Sequence, residues 1–215
     1  MPRNKYPEET VQKILDVSLK LFLEKGYEQT TVLDIVANMG GLTRGAFYHH
    51  FKSKEDVLDA IFSRYLNEND PFERARQTKG INGLERTRLA LKLSLQKNLE
   101  GENPGAIPML SVSLLSNPRF LAEQIKSNQK TAAILAPMIE EGMQDGSIKP
   151  GTPNVVASLF MLLTNFWMFP AIFPCNMEET IAKGEMIDQI LEAIGFPVVD
   201  EEMEQIFMRV FDFLL

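Results

Sequence analysis

The sequence predicts an all-α protein, with a turn-dense N-terminal group of short helices followed by a larger part built from longer amphipathic ones. Two observations carry this expectation. Apolar residues recur at steps of three and four along the chain, without the alternation and hairpin turns that mark strands. Residues that start and stop helices, Thr, Ser and Pro before the apolar runs and Gly behind them, fall at the ends of those runs.

Bulk properties set the limits. With 215 residues and 45% hydrophobic content the chain can bury a sizeable core, as one compound unit or two domains. Residues 1–9 lack the apolar stretch of a secretory signal, so export is not expected. The lone cysteine, Cys175, excludes an internal disulfide framework and suits a reducing cytoplasm, where a free thiol behaves as a small core hydrophobe. The net charge is −7, but it is unevenly spread: residues 1–66 carry nine basic and nine acidic side chains, residues 67–215 thirteen and twenty. The larger part is therefore no general polyanion surface, while the neutral part can gather its cations on one face.

The first helix is expected from about Pro7 to a stop at Gly26, with Val11, Ile14, Leu15, Ser18, Leu21 and Phe22 inward. Thr31 starts the second, with Asp34 three residues on completing a capping box and Val32, Ile35, Val36 and Met39 facing the core. The pair Gly40-Gly41, between Met39 and Leu42, supplies left-handed backbone for a tight corner. Thr43 caps a third helix over 44–51, and Ser53 with Asp56 caps a connecting helix over about 53–67. The boundary that follows places an N-terminal domain at 1–52, the connecting helix next, and a C-terminal domain at 68–215.

In that second part, Leu84, Leu91, Leu95 and Leu99 line a helix at about 84–100 after a break at Gly80 to Gly83, and a shorter one spans 107–116. Leu121, Ile125, Asn128, Ala132, Leu135, Ile139 and Gly142 form one stripe of a long helix that Pro137 should kink or divide. Residues 155–169 are apolar nearly all round. Asn154, Ser158, Thr164, Asn165 and the prolines at 170 and 174 argue for a buried helix over a membrane span. Two last helices, about 178–195 and 200–214, present Ile181, Ile187, Ile190, Leu191 and Ile194, then Met203, Ile206, Phe207, Val210 and Leu214.

The second helix, the glycine corner and the third helix have the form of a helix-turn-helix, whose second helix enters the DNA major groove. Thr43 can donate to a phosphate, Arg44 can reach guanine or phosphate, and Gly45 allows close backbone approach. Tyr48, His49 and His50 add aromatic donors, Phe47 and Phe51 are expected in the core, and Lys52 and Lys54 stand ready to neutralise flanking phosphates. Neighbouring His49 and His50 diverge by about 100° on a helix, which disfavours a metal pair, so no metal or cofactor is expected. Lys13, Lys20, Lys25 and Arg64 read as solvated charges.

Thr30-Thr31, Ile35 and the run Gly-Leu-Thr-Arg-Gly-Ala-Phe-Tyr-His-His-Phe-Lys-Ser-Lys-Glu at 41–55 resemble the tetracycline-repressor (TetR) family over about residues 8–66. The resemblance implies an all-helical homodimer with a three-helix DNA-binding domain. Its variable C-terminal part would bind a small-molecule effector and dimerise through its last helices. Carried over by position, Thr31, Thr43, Arg44, Gly45, Tyr48, His49, His50 and Lys54 fall on DNA-contacting or site-forming positions. The corner departs from the family pattern, with one residue more between Ile35 and Gly45 than the usual spacing.

An effector cavity is expected among Leu95, Met109, Asn128, Met138, Phe160, Met161, Thr164, Asn165 and Trp167, where soft and aromatic residues surround a few polar ones. Carboxylates are scarce there, which favours a small apolar or amphipathic effector over a cationic one, although Glu123, Glu140 or Glu141 can still turn inward. The expected function is a cytoplasmic, dimeric transcription regulator, most simply a repressor of a palindromic operator released by its effector. The alternative is an effector-independent dimeric DNA-binding or architectural protein. An enzyme is disfavoured, because no phosphate loop, nucleophile-base pair or metal-spaced cluster appears.

Overall fold

Pro7, Glu8 and Glu9 open the first helix, α1 (Pro7–Lys25), and Lys25 closes it, an arrangement that complements the helix dipole at both ends. It stops where Gly26 turns left-handed, at φ +87°. In this computed structural model, which describes residues 7–41, 43–67, 70–101, 103–115, 117–170 and 172–213, every regular element is helical. The chain forms two compact units, residues 1–69 with 109–113, and residues 70–108 with 114–215.

The first unit holds α1, α2 (Val32–Asn38), α3 (Arg44–His50) and α4 (Lys54–Asn67). α1 packs on α4 and α2, and α2 on α3. Ile14, Leu15, Leu19, Phe22, Ile35, Met39, Phe47, Val57 and Ile61 make the core. Leu19 joins the expected inward stripe of α1, while Val11 and Leu21 sit at its half-buried margins. Ser18 is completely buried and its hydroxyl has no hydrogen-bond partner. Two charges expected to be merely solvated tie elements together instead. Arg64 on α4 donates to Gln12 at 2.6 Å and to Asp16 at 2.8 Å on α1, and Lys25 meets Asp34 at 2.8 Å.

The second unit opens with α5 (Pro71–Gln77), which the hydrophobic pattern did not reveal because it is seven residues long. Its signal was local: Asp70 caps it and Pro71 takes its first position. α6 (Gly83–Lys97) follows, so Gly83 is the first residue of a helix and not a break in the chain. The reason is packing. A Cβ on Gly83 would lie 2.0 Å from the backbone nitrogen of Gly142, so two helix backbones touch there. Beside this crossing the Arg86 guanidinium donates to the carbonyls of Ala75 and Thr78 at 2.7 Å and pairs with Glu141 at 2.9 Å. Glu141 is thereby committed to structure.

Most of α7 (Ala106–Ser113) groups with the first unit. α8 (Pro118–Asp145) runs as one helix through Pro137, so of the two outcomes expected there the division does not occur. Pro137 and Ala133, the residue whose carbonyl loses its helical partner, are both exposed, so water can satisfy the freed group. Ile125, expected inward, is 44% exposed. α9 (Pro153–Leu162) continues into a π-helical turn at Leu163–Trp167, then α10 (Met177–Ala193) and α11 (Glu201–Phe211) complete the unit. Leu135, Ile139, Ala157, Phe160, Leu191, Phe196 and Val198 anchor its core.

The apolar segment at 155–169 is not buried all round. Val155 is 61% and Leu162 56% exposed on one face of α9, and Ile181 on α10, also expected inward, is 47% exposed. Ile194 is likewise exposed. No helix among the described residues is long and apolar enough to cross a membrane. Leu42, Ser116 and Leu214, named in the sequence reading, lie outside the described residues.

Candidate nucleic-acid interface

Two adjacent threonines set the entry to the helix-turn-helix. The buried Thr30 hydroxyl donates to the Gly26 carbonyl at 2.8 Å and closes the end of α1. Thr31 opens α2 through a full capping box: its hydroxyl accepts from the Asp34 amide at 3.1 Å and donates to the Asp34 carboxylate at 2.6 Å, and its amide donates to the same carboxylate at 2.8 Å. The Lys25 ammonium, then the Thr31 hydroxyl and amide, hold the Asp34 carboxyl well below the usual carboxylate range. Thr31, expected among the DNA-contacting positions, thus has its hydroxyl engaged in shaping α2.

The corner is made by Gly40 at φ +61° and Gly41 at φ +97°, a left-handed pair that costs any other residue about 1 kcal/mol or more each. The Lys13 ammonium stands beside it, 3.6 Å from where a Cβ on Gly40 would be. Lys13 is exposed, as expected of a solvated charge.

Thr43 caps α3 by accepting from the Ala46 amide at 3.2 Å, which leaves its hydroxyl proton free to donate outward. Phe47 is fully buried and turns the helix: it packs edge-on to Tyr48 and tilted against Phe51, with ring centres 5.4 and 6.2 Å away. With Phe47 inward, Arg44, Gly45, Tyr48 and His49 are exposed. The Arg44 guanidinium lies 5.5 Å from the centre of the Tyr48 ring, one helical turn on, close enough for a cation–π contact that orders both side chains. A Cβ added to Gly45 would have only the Thr43 hydroxyl within 4 Å, at 3.8 Å, so nothing inside the protein requires glycine there.

His49 and His50 stand ring edge to ring face, with centres 5.1 Å apart. His50 is half-buried, and that burial, with the charge of His49 second, lowers its pKa from the ordinary histidine value. It is therefore a neutral donor or acceptor near neutral pH. Lys52 is exposed.

Lys54 is engaged within the protein. Its ammonium donates to the carbonyls of Tyr27 at 2.8 Å, Glu28 at 3.2 Å and Thr30 at 3.2 Å. Three carbonyls match the three donors of an ammonium group, so here Lys54 clamps the start of α4 to the α1–α2 loop.

Of the residues expected around an effector, Leu95, Phe160, Met161, Thr164, Asn165, Trp167 and Asn128 lie in or beside one core, while Met138 and Met109 lie elsewhere. Phe160 and Met161 are buried in the main core and Met138 in a smaller one with Ala75 and Ala90. Met109 is exposed and groups with the first unit. The Thr164 hydroxyl is satisfied by the Phe160 carbonyl at 2.8 Å. Leu95 and Trp167 are partly buried at the edge of the main core. Asn128 and Asn165 do meet, the Asn165 amide donating to the Asn128 carbonyl oxygen at 2.7 Å.

Comparison with known proteins agrees with this geometry. The family model for bacterial regulatory proteins of the tetR family matches residues 14–61, the span from α1 to the middle of α4. The HTH-type transcriptional repressor KstR2 of Rhodococcus jostii is 31% identical over 154 residues, 69% of this chain and 72% of that one. A transcriptional regulator of the TetR/AcrR family from Thermobifida fusca superposes with a TM-score of 0.59 at 26% identity, over 87% of this chain and 97% of its own. The SmeT–triclosan complex superposes with a TM-score of 0.62 at 21% identity, over 95% and 91% of the two chains.

Proposed function

The chain belongs to the tetR family of bacterial transcriptional regulators, and from that premise we propose that it is a homodimeric repressor of a palindromic operator, released by a small molecule. The carrying observation is the division of α3, which buries Phe47 and turns Thr43, Arg44, Gly45 and Tyr48 outward as one set of short, cationic and aromatic donors. Thr43 and Tyr48 serve phosphate, Arg44 reaches a base edge or phosphate, and Gly45 lets the backbone come close. His49 and His50 extend the contact at the end of the helix.

Dimerisation is supported by the apolar faces that α9 and α10 leave open, with Val155 and Leu162 on one and Met177 and Ile181 on the other. Such residues are covered in a stable protein by a second copy. Two-fold symmetry would then set two α3 helices one DNA turn apart, about 34–36 Å. An apolar or amphipathic effector is supported by the triclosan bound to a protein of similar fold and by the soft residues at the core edge near Trp167. A ligand that favours another spacing releases the operator by its difference in affinity for the two states, and about 5.5 kcal/mol reverses a 99:1 population. The cytoplasm is the compartment such a regulator requires.

The test is selection of bound duplexes from a random pool by the full-length protein. A palindrome with half-sites about one helical turn apart is expected. Tyr48→Ala should bind it at least about tenfold more weakly while keeping its helical circular dichroism and dimer mass. Recovery of no common sequence, or undiminished binding by the variant, would overturn the proposal.

A further inference from the structure

We propose that the Asn128–Asn165 pair is the polar recognition point for the effector, and that it selects a neutral head group able both to donate and to accept hydrogen bonds, such as a primary amide or a hydroxyl, over a carboxylate. The inference rests on the effector-responsive reading above and adds the chemical class of ligand.

The pair is half made. Asn165 Nδ2 donates to Asn128 Oδ1 at 2.7 Å and reaches the Met161 sulfur at 3.9 Å. Two carboxamides can satisfy each other twice, yet among the described residues Asn128 Nδ2 and Asn165 Oδ1 have no further partner. A free donor on one residue and a free acceptor on the other thus remain on side chains that are half-buried. Their surroundings are apolar: Met161 is buried in the main core, and Leu163 and Trp167 pack at its edge. A half-buried amide beside apolar neighbours gains most from a partner that completes both bonds.

The backbone is unusual at the same place. Asn165 lies in the π-helical turn, where the Met168 amide donates five residues back to the Leu163 carbonyl at 3.2 Å. This wider turn sets Asn165 over Met161 and opposite Asn128. Single π turns inside helices cost regular hydrogen bonding and occur frequently at functional sites.

Charge separates the candidate head groups. On α8, Arg119, Lys126 and Lys130 are exposed and lie on the side of the helix opposite Asn128, at about 100° per residue. A carboxylate would find no cation on that helix face and would set one oxygen against Asn165 Oδ1. A primary amide or an alcohol accepts from Asn128 and donates to Asn165, completing one bond to each side chain.

The test uses four probes with one tail, octanamide, 1-octanol, octanoate and octylammonium, added to the full-length dimer. Calorimetry and the fluorescence of Trp167, the single tryptophan and two residues from Asn165, read the binding. Octanamide and 1-octanol should bind at least about tenfold more tightly than octanoate, from two added hydrogen bonds. In Asn128→Leu/Asn165→Leu, which keeps side-chain volume, that preference should fall to about twofold or less. Asn128→Asp, which retains the bond from Asn165 and turns the free donors into an acceptor, should improve octylammonium binding about tenfold.

Tighter binding of octanoate, an undiminished preference in the double variant, or no response to any probe overturns the proposal. Operator affinity is read on the same samples. Octanamide bound through this pair with operator affinity unchanged overturns the effector reading and not the subsite. Release by octanoate, with the pair ignored, overturns the subsite alone.

Discussion

The Lys54 ammonium donates to the carbonyl of Tyr27 at 2.8 Å and lies 4.4 Å from the centre of that residue's ring. One side chain from α4 thereby fixes the loop that delivers α2, and through α2 the corner and α3. Lys54→Met should destabilise the protein by about 1.5–3 kcal/mol in urea unfolding, the range for hydrogen bonds made by a charged group. Operator affinity should fall without change in the slope of log K against log salt. Lys52→Met should do the reverse, leaving stability alone and lowering the slope by about one. A reduced slope in Lys54→Met would restore it as a phosphate contact.

Gly45 separates stability from recognition. It stands in α3 with ordinary helical backbone and open space around a notional Cβ, so Gly45→Ala should raise stability by about 0.5–1 kcal/mol through helix propensity. In the proposed complex the added methyl group would face the DNA, and operator affinity should drop by about tenfold or more. Anisotropy titrations beside thermal melts check both. Unimpaired binding would show that α3 does not approach the DNA along this face.

Histidine ionisation should make the fold acid-sensitive in a defined window. Burial, with His49 second, pushes the pKa of His50 below the ordinary histidine value, so the folded state binds fewer protons than the unfolded one. Stability from this group is fully present above about pH 6.5 and is lost as pH falls through the folded-state value. The urea midpoint should decline from about pH 7.5 to about 5.5, and His50→Gln should shrink that decline. An equal decline in the variant would remove His50 as its cause.

The Gly83–Gly142 crossing should tolerate no side chain. A Cβ at Gly83 would overlap backbone atoms, which cannot rotate aside, so Gly83→Ala should cost about 2–3 kcal/mol or block folding of the second unit. Gly184, with nothing within 4 Å of its notional Cβ, is the control: Gly184→Ala should not destabilise the isolated helix pairings. Guanidinium unfolding of the two variants makes the comparison.

Leu162→Glu should convert the proposed dimer to monomer in light scattering, because one carboxylate in each copy would leave unpaired charge in an interface formed on α9. Weaker operator binding should accompany it, as a single α3 reads only half a site. A dimer of unchanged affinity would move the interface away from α9.

The elements closest to function were legible because their signals are local. Thr31 with Asp34, Thr43 with Ala46, and Gly40-Gly41 act within three or four residues of themselves, and the structure shows both caps and both left-handed glycines where spacing placed them. α5 was missed for the opposite reason: seven residues are too few for a hydrophobic period to stand out, although Asp70-Pro71 signalled its start. At Pro137 the sequence shows the lost hydrogen bond but not whether the helix runs on through it, because that depends on whether water can replace the bond.

By itself the sequence determined the all-α class, the helix-turn-helix and the caps that bound it, since capping, glycine conformation and amphipathic spacing are decided by neighbours along the chain. Only the tertiary structure decided what long side chains do. Lys54 clamps carbonyls some 24 to 27 residues away, Arg64 reaches back to Asp16, Arg86 to Glu141, and Asn165 finds Asn128 across a π turn. Those partners are set by packing of distant elements, and a charge or amide reads alike in sequence whether it faces phosphate, ligand or its own backbone.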